Sequence, residues 1–283
     1  MSTLYKQMNA SRQGLHQFYK RQAVHLALGK LVLSQASLIR QDHPKMGCRT
    51  MHLLMNDIQL GRDRCEQLLL THGFRVKRRV NYIKTTISQR ELYFPDLIKG
   101  MILTGINQVW QTDITYYLSG RSVFYIIFIE DVYSRRIIGH CAHNHMRAEA
   151  NLNCLKMAFN TRKNDELKGL IHHSDRGAQY IANAYLTALR NKGIQISMCK
   201  QAWQNAYTER VNGTIKNDYL YAQDIQTLAQ LRKALDQTVK VYNEQKPHQN
   251  LVGKMSPFKF ENYLNQSPKK THPIVKIYDY EEI

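Results

Sequence analysis

The 283-residue sequence lacks paired cysteines, long apolar runs and a balancing share of acidic residues. Its five cysteines (Cys48, Cys65, Cys141, Cys154 and Cys199) are dispersed, with no C-x-x-C pair among them. An odd, scattered set fits reduced thiols and not a disulfide framework. The most apolar run, Val123 to Ile129, is far shorter than the roughly 20 residues a membrane helix needs. The N-terminus holds no apolar stretch resembling a secretory signal, so the expectation is a soluble, cytoplasmic protein. No G-x-x-x-x-G-K-[ST] loop is present, which leaves ATP use unindicated. Internal repeats and low-complexity tracts are also missing. Acidic residues number 22 against 40 Lys and Arg, a formal charge of +18. That imbalance points to a polyanionic partner. Residues 1–100 hold 17 of the basic and 6 of the acidic residues. A basic front third suggests a DNA-binding module ahead of a catalytic one, although a merely solvated basic surface gives the same count.

Apolar residues between Gln22 and Arg40 (Val24, Leu26, Leu28, Leu31, Val32 and Leu38) predict a helix that ends before Pro44. Arg49 to Asn56 predicts a second helix, and Arg62 to Thr71 a third with Gly73 as its stop. Short helices around a tight link, followed by Arg75, Lys77, Arg78 and Arg79, have the size and charge of a helix-turn-helix. The expected organisation is a helical DNA-binding region over 1–84, a linker over 85–100, a catalytic core over 101–265 and a tail over 266–283.

From Ile106 the texture changes. Gln108 to Tyr117, Ser122 to Asp131 and Arg136 to His143 are rich in Val, Ile, Tyr, Phe and Thr, with hairpin-length links between them. There follow a helix (Ala148 to Asn160), a strand (Leu170 to Ser174), a helix (Ala182 to Asn191) and a strand (Ile194 to Met198). A helix around Glu209 and a long one from Thr227 to Tyr242 complete the order. Three antiparallel strands and then alternating helix and strand predict an α/β fold of the RNase-H-like type.

Three acidic residues stand out in that order. Asp113 interrupts the apolar strand Val109-Trp110-Gln111-Thr112-Asp113-Ile114-Thr115, where a charge is costly unless compensated. Asp175 follows Leu170-Ile171-His172-His173-Ser174, at the strand end where open α/β sheets bind ligands. Glu209 lies on a helix read from Asn205 to Tyr219. At about 100° per residue, Asn205, Asn212 and Lys216 share its face, and Tyr207 and Val211 point away. Three carboxylates of this kind suit two Mg²⁺ or Mn²⁺ ions about 4 Å apart, able to activate a water or a 3′-hydroxyl for in-line phosphoryl transfer. Taken singly, each has a plainer reading as a turn, capping or solvated residue.

Trp110-Gln111-Thr112-Asp113-Ile114-Thr115-Tyr116, His173-Ser174-Asp175-Arg176-Gly177 with Gln179-Tyr180, and Asn205-Ala206-Tyr207-Thr208-Glu209-Arg210 with Lys216 resemble a known family. It is the integrase core of bacterial insertion-sequence transposases, specifically the second-frame product of two-frame elements, related to retroviral integrases. Asp131-Val132-Tyr133-Ser134-Arg135, Ser197-Met198, and Tyr242-Asn243 through Pro247-His248 to Ser256-Pro257 extend the resemblance. So do Ser11-Arg12-Gln13-Gly14 and Gly47-Cys48-Arg49 upstream, so that it covers residues 11 to 262. The resemblance implies a D-D-E triad of Asp113, Asp175 and Glu209 as catalytic and metal-binding residues. It also implies Lys216, with Asn205 and Arg210, as DNA contacts. The implied activity is metal-dependent DNA strand cleavage and strand transfer by direct transesterification. Its implied partners are double-stranded DNA, further copies of the chain on that DNA, and an upstream-frame product or a fusion with it. The Asp175–Glu209 spacing is slightly shorter than the family's, and Lys200 to Gln204 is where the loop is expected to be trimmed. The rival readings are an RNase-H-type nuclease and a catalytically silent DNA-binding regulator.

Other clusters have plainer readings. His140, Cys141, His143 and His145 resemble a zinc set, yet strand alternation sends His140 to the face opposite the other three. His43, Cys48, His52 and Cys65 have no tight Cys pair to form a zinc module. Asp131 is a fourth acidic candidate whose favoured reading is turn stabilisation. Of His172 and His173, alternation turns one toward the site and the other toward the core. Trp203 and Tyr207 are candidates for stacking on a base or for packing.

Overall fold

The computed structural model describes residues 11–76, 94–120, 122–199 and 202–278. The chain divides into two compact units, residues 1–78 and 79–283. In the first, helix α1 spans Arg12–Asp42, α2 Cys48–Met51 and α3 Arg62–Thr71. Ser11 caps α1 by accepting from the Gly14 amide, which starts this helix well ahead of the expected Gln22. Only the far half of α1 has a core to join. Val32 and Ala36 pack with Met46, Cys48, Met51, Cys65 and Leu69. The second helix is a single turn, shorter than the expected Arg49 to Asn56, because a turn over residues 52–54 follows it at once. Arg40 closes the unit by donating to the carbonyls of Pro44, Met46 and Phe74. Those carbonyls lie outside regular structure, so the guanidinium supplies partners that the backbone cannot.

In the second unit the strands are β1 (Ile102–Leu103), β2 (Val109–Ser119), β3 (Ser122–Asp131), β4 (Ile137–His143), β5 (Ile171–Ser174), β6 (Gln195–Met198) and β7 (Val275–Lys276). The helices are α4 (Ala148–Thr161), α5 (Asn183–Arg190), α6 (Ala206–Thr214), α7 (Leu228–Glu244) and α8 (Pro257–Gln266). The main sheet has the order β4-β3-β2-β5-β6. β2, β3 and β4 form an antiparallel meander, and β5 and β6 run parallel to β2. This is the RNase-H-like arrangement expected from the element order.

The two faces of the sheet are covered differently. Trp110, Ile127, Ile129 and Ile138 face α4 and α5, with Cys154, Leu155, Tyr185 and Leu189 against them. Gly139 allows α4 this close, since a Cβ there would lie 2.6 Å from the Cys154 carbonyl oxygen. Tyr117 of β2, Ala142 of β4 and the β3 residues Phe124, Ile126 and Phe128 face the other way. There they pack with Val211 of α6, with Ile215 just beyond it, and with Leu231, Leu235 and Val239 of α7.

Helix α8 has no counterpart among the expected elements. Ser256 caps it, Pro257 occupies its first turn, and Phe260 and Leu264 pack with Val109, Val132, Tyr133 and Ile171. Its Glu261 is buried, accepting from Ser134 Oγ and pairing with Arg136 and Arg162. That set ties the helix to the β3–β4 turn and to the end of α4. Among the described residues, no helix is long and apolar enough to cross a membrane.

Candidate active site

Register sets the first two carboxylates side by side. β2 pairs with β5 in parallel as Val109 with Ile171, Trp110 with His172 and Gln111 with His173. Carried two residues further, that register brings Asp113 level with Asp175, just past the end of β5. Level residues on adjoining strands project to the same face. That face is the one covered by α6, because Trp110 and Ile114 belong to the opposite core.

Helix α6 and the residues flanking it are bound to β2 by three side chains. Asn205 donates its amide to the Thr112 carbonyl at 2.9 Å. Asn212 donates to Asp113 Oδ2 at 2.7 Å. Lys216 donates to Thr115 Oγ1 at 2.6 Å, and its ammonium lies 5.0 Å from the centre of the Tyr116 ring. Residues Ile215–Tyr219 continue the helix with a wider π turn, a local irregularity that alters side-chain direction. Lys216 sits in that turn, beside the Asp113 strand.

Burial raises the Asp113 carboxyl to about 7, with the charges of Asp175 and Glu209 adding to the rise. The Ile114 amide and Asn212 act in the opposite sense. Asp175 is also raised by burial, while the Gly177 amide, which donates to Oδ1 at 3.0 Å, holds it down. Glu209 is raised by partial burial and remains exposed on α6. Burial lowers the Lys216 ammonium, and the Asp113 charge works against that shift. Among the described residues, no three His, Cys, Asp or Glu side chains are close enough to enclose a metal ion. The charge of Glu209 also reaches Asp113, with a smaller effect than that of Asp175. Asp113 and Asp175 nevertheless suit a hard divalent cation, because buried carboxyls that raise one another's affinity for protons are relieved by positive charge.

The remaining candidates are dispersed. Asn205 is buried and braces the strand. Arg210 is exposed on α6, and Arg75 is exposed at the end of the first unit. Lys77, Arg78 and Arg79 lie outside the described residues, as do the side chain of Trp203 and the loop residues 200–201. Asp131 accepts from the amides of Tyr133, Ser134 and Asn107, a turn-stabilising role. His140 meets Asp236 of α7, whereas Cys141 packs on the α4 side, so alternation separates them. His172 joins Tyr185 in the α5 core, and His173 meets Ser197 on the site's face. Asn212 as the partner of Asp113 had no direct sign in the sequence, beyond its place on the Glu209 face.

Residues 104–202 match the family model described as an integrase core domain, and residues 192–257 match a second model of the same description. The chain is 32% identical over 219 residues to the 31 kDa protein of insertion element IS600 from Shigella sonnei, covering 76% of this chain and 79% of the relative. It is 26% identical over 211 residues to the transposase for insertion sequence element IS629 of the same species, covering 73% and 70%. The transposase for IS904 of Lactococcus lactis is 31% identical over 173 residues, covering 60% and 67%. Among solved structures, the magnesium complex of the HTLV-2 integrase catalytic core aligns over 58% of this chain and 98% of that one, at 17% identity and a TM-score of 0.44. At that score the alignment adds no weight to the sequence relatives. Those relatives and the integrase-core matches make this chain a member of the integrase-core family of bacterial insertion-sequence transposases.

Proposed function

We propose that this transposase cleaves a DNA strand and joins a 3′ end to a second phosphodiester, using Asp113, Asp175 and Glu209 as its catalytic carboxylates. The observation that carries the reading is the β2–β5 register, which brings Asp113 level with Asp175 beneath the helix that bears Glu209. The three carboxylates would hold Mg²⁺ or Mn²⁺, in a pair if both sites fill. Bound there, the ions supply Lewis-acid stabilisation of the attacking and leaving oxygens. The chain's own part is positioning. Asn212 fixes Asp113 Oδ2. Lys216 holds its ammonium beside Thr115, where an incoming phosphate would find it. Residues 1–84 would hold DNA through phosphate contacts by a helix-turn-helix and the Arg75, Lys77, Arg78 and Arg79 cluster. A linker over 85–100, a core over 101–265 and a tail over 266–283 complete this organisation. Double-stranded DNA, further copies of the chain and an upstream-frame product are the proposed partners.

The test is strand nicking and joining in Mg²⁺ with Asp113→Asn, Asp175→Asn and Glu209→Gln. Each variant is expected to lose activity by several orders of magnitude while keeping duplex affinity and melting temperature. Near wild-type activity in any one of them would remove that residue from the triad.

A further inference from the structure

Three segments of the chain converge on the side of α6 that carries Tyr207, turned away from Glu209. The first is the β3–β4 turn. Asp131 closes it through its backbone, and Arg135 stands in it at a φ of 63°. Left-handed backbone of this kind favours Gly or Asn, so an arginine there is held at a conformational cost. The second segment is α6, whose Tyr207 ring lies 4.0 Å beneath the Arg135 guanidinium. Arg210 follows one turn later, on an adjacent part of the same surface. The third is the loop after α7. Asn243 anchors it with two hydrogen bonds to the Ile137 backbone, opposite Glu130, and Tyr242 packs edge-on against His248 at 5.0 Å.

The cluster is rich in cations. Lys246, Arg135 and Arg210 all act on His248, which burial and these charges depress to about 3. The acidic groups nearby are Glu130, which burial raises to about 8 against the charges of Arg135 and Arg210, and Asp218 beside Lys246. Arg135 Nη1 and His248 Nε2 are buried with no hydrogen-bond partner among the described residues. Arg135 keeps a partly exposed edge and Arg210 is exposed, so an anion arriving from solvent meets both. A stacked guanidinium whose Nη1 lacks a hydrogen-bond partner among the described residues is well suited to a phosphate.

We infer that Arg135, stacked on Tyr207, and Arg210 form a clamp for a backbone phosphate of bound DNA, on the side of α6 away from the carboxylates. The substrate class rests on the transposase reading; the anion site rests on the convergence of the three segments.

The experiment is a salt titration of duplex binding by the full chain and by Arg135→Gly and Arg210→Ala, with a thermal melt of each. Arg135→Gly removes the guanidinium and relieves the left-handed backbone. Its melting temperature should hold or rise, while the slope of log affinity against log salt falls by about 0.9 for the lost phosphate contact. Arg210→Ala, at an exposed position, should give a similar loss and tests the clamp even if Arg135→Gly fails to fold. An unchanged slope in either soluble variant overturns the clamp. So does a fall in the Arg135→Gly melting temperature that Glu130→Gln restores, since Arg135 would then be a counter-ion for Glu130. If both variants lose slope while the wild-type protein cleaves no DNA, the phosphate site stands and the transposase chemistry falls.

Discussion

Both faces of the main sheet carry an apolar core, but only the α6 face is crossed by a buried polar row. On the α4 and α5 face, Trp110, Ile127, Ile129 and Ile138 close on apolar helix residues. On the α6 face, a polar row crosses four strands: Glu130 pairs with Gln111, Gln111 with His173, and His173 with Ser197. All four are buried. One row further along the sheet lie Asp113 and Asp175. The contrast separates a face given to packing from one that combines packing toward α7 with a polar row toward the carboxylates, and neighbouring residues of one strand serve both.

The largest expected effect lies on the α4 and α5 face. Trp110→Ala removes a fully buried ring and should destabilise the protein by about 3–5 kcal/mol, as read by denaturant unfolding. A loss below about 1 kcal/mol would mean that this face is not given to packing.

A smaller effect concerns acid. His172, buried against Tyr185, is held down to about 3 by burial and by His173. Its folded value lies below the unfolded value of about 6.5, so between those limits the unfolded chain binds the extra proton. Stability from this group is therefore present above about pH 6.5 and falls as pH drops through the window. The loss should be about 2 kcal/mol by about pH 5. His172→Gln should make the stability profile shallower between about pH 6.5 and 5, with the fall from His173 and His248 remaining, and an equally steep profile would sink the assignment.

The smallest effect, and the one with the opposite sign, is at Gln111. Both polar atoms of its side chain are buried without a hydrogen-bond partner among the described residues. Gln111→Met should leave stability unchanged or raise it by about 1 kcal/mol, since it removes an unsatisfied amide and keeps the volume. A loss of about 2 kcal/mol or more in chemical unfolding would show that the amide is well paired, by ordered water for example.

Much of this contrast was legible locally. Alternation in Val109 to Tyr117 marked Asp113 as an odd residue in an apolar strand, and helical spacing put Asn212 and Lys216 on the Glu209 face. Strand and helix order followed from local periodicity, which needs no distant partner. The short α2 escaped this reading because apolar Leu53, Leu54 and Met55 continue a helical composition past the turn. α8 escaped because its signal was confined to one capping Ser-Pro and its apolar face depends on strands far away in sequence.

By itself, the sequence determined most of the element order, the candidate carboxylates and the charge of the chain, because these are local properties of residue type and spacing. Tertiary structure alone decided that Asp113 stands level with Asp175, that Asn212 holds Asp113, and that Arg135 meets Tyr207. Each of these depends on strand register and helix docking between segments tens of residues apart. Such long-range placement is set by packing of the whole unit, and no short stretch of sequence encodes it.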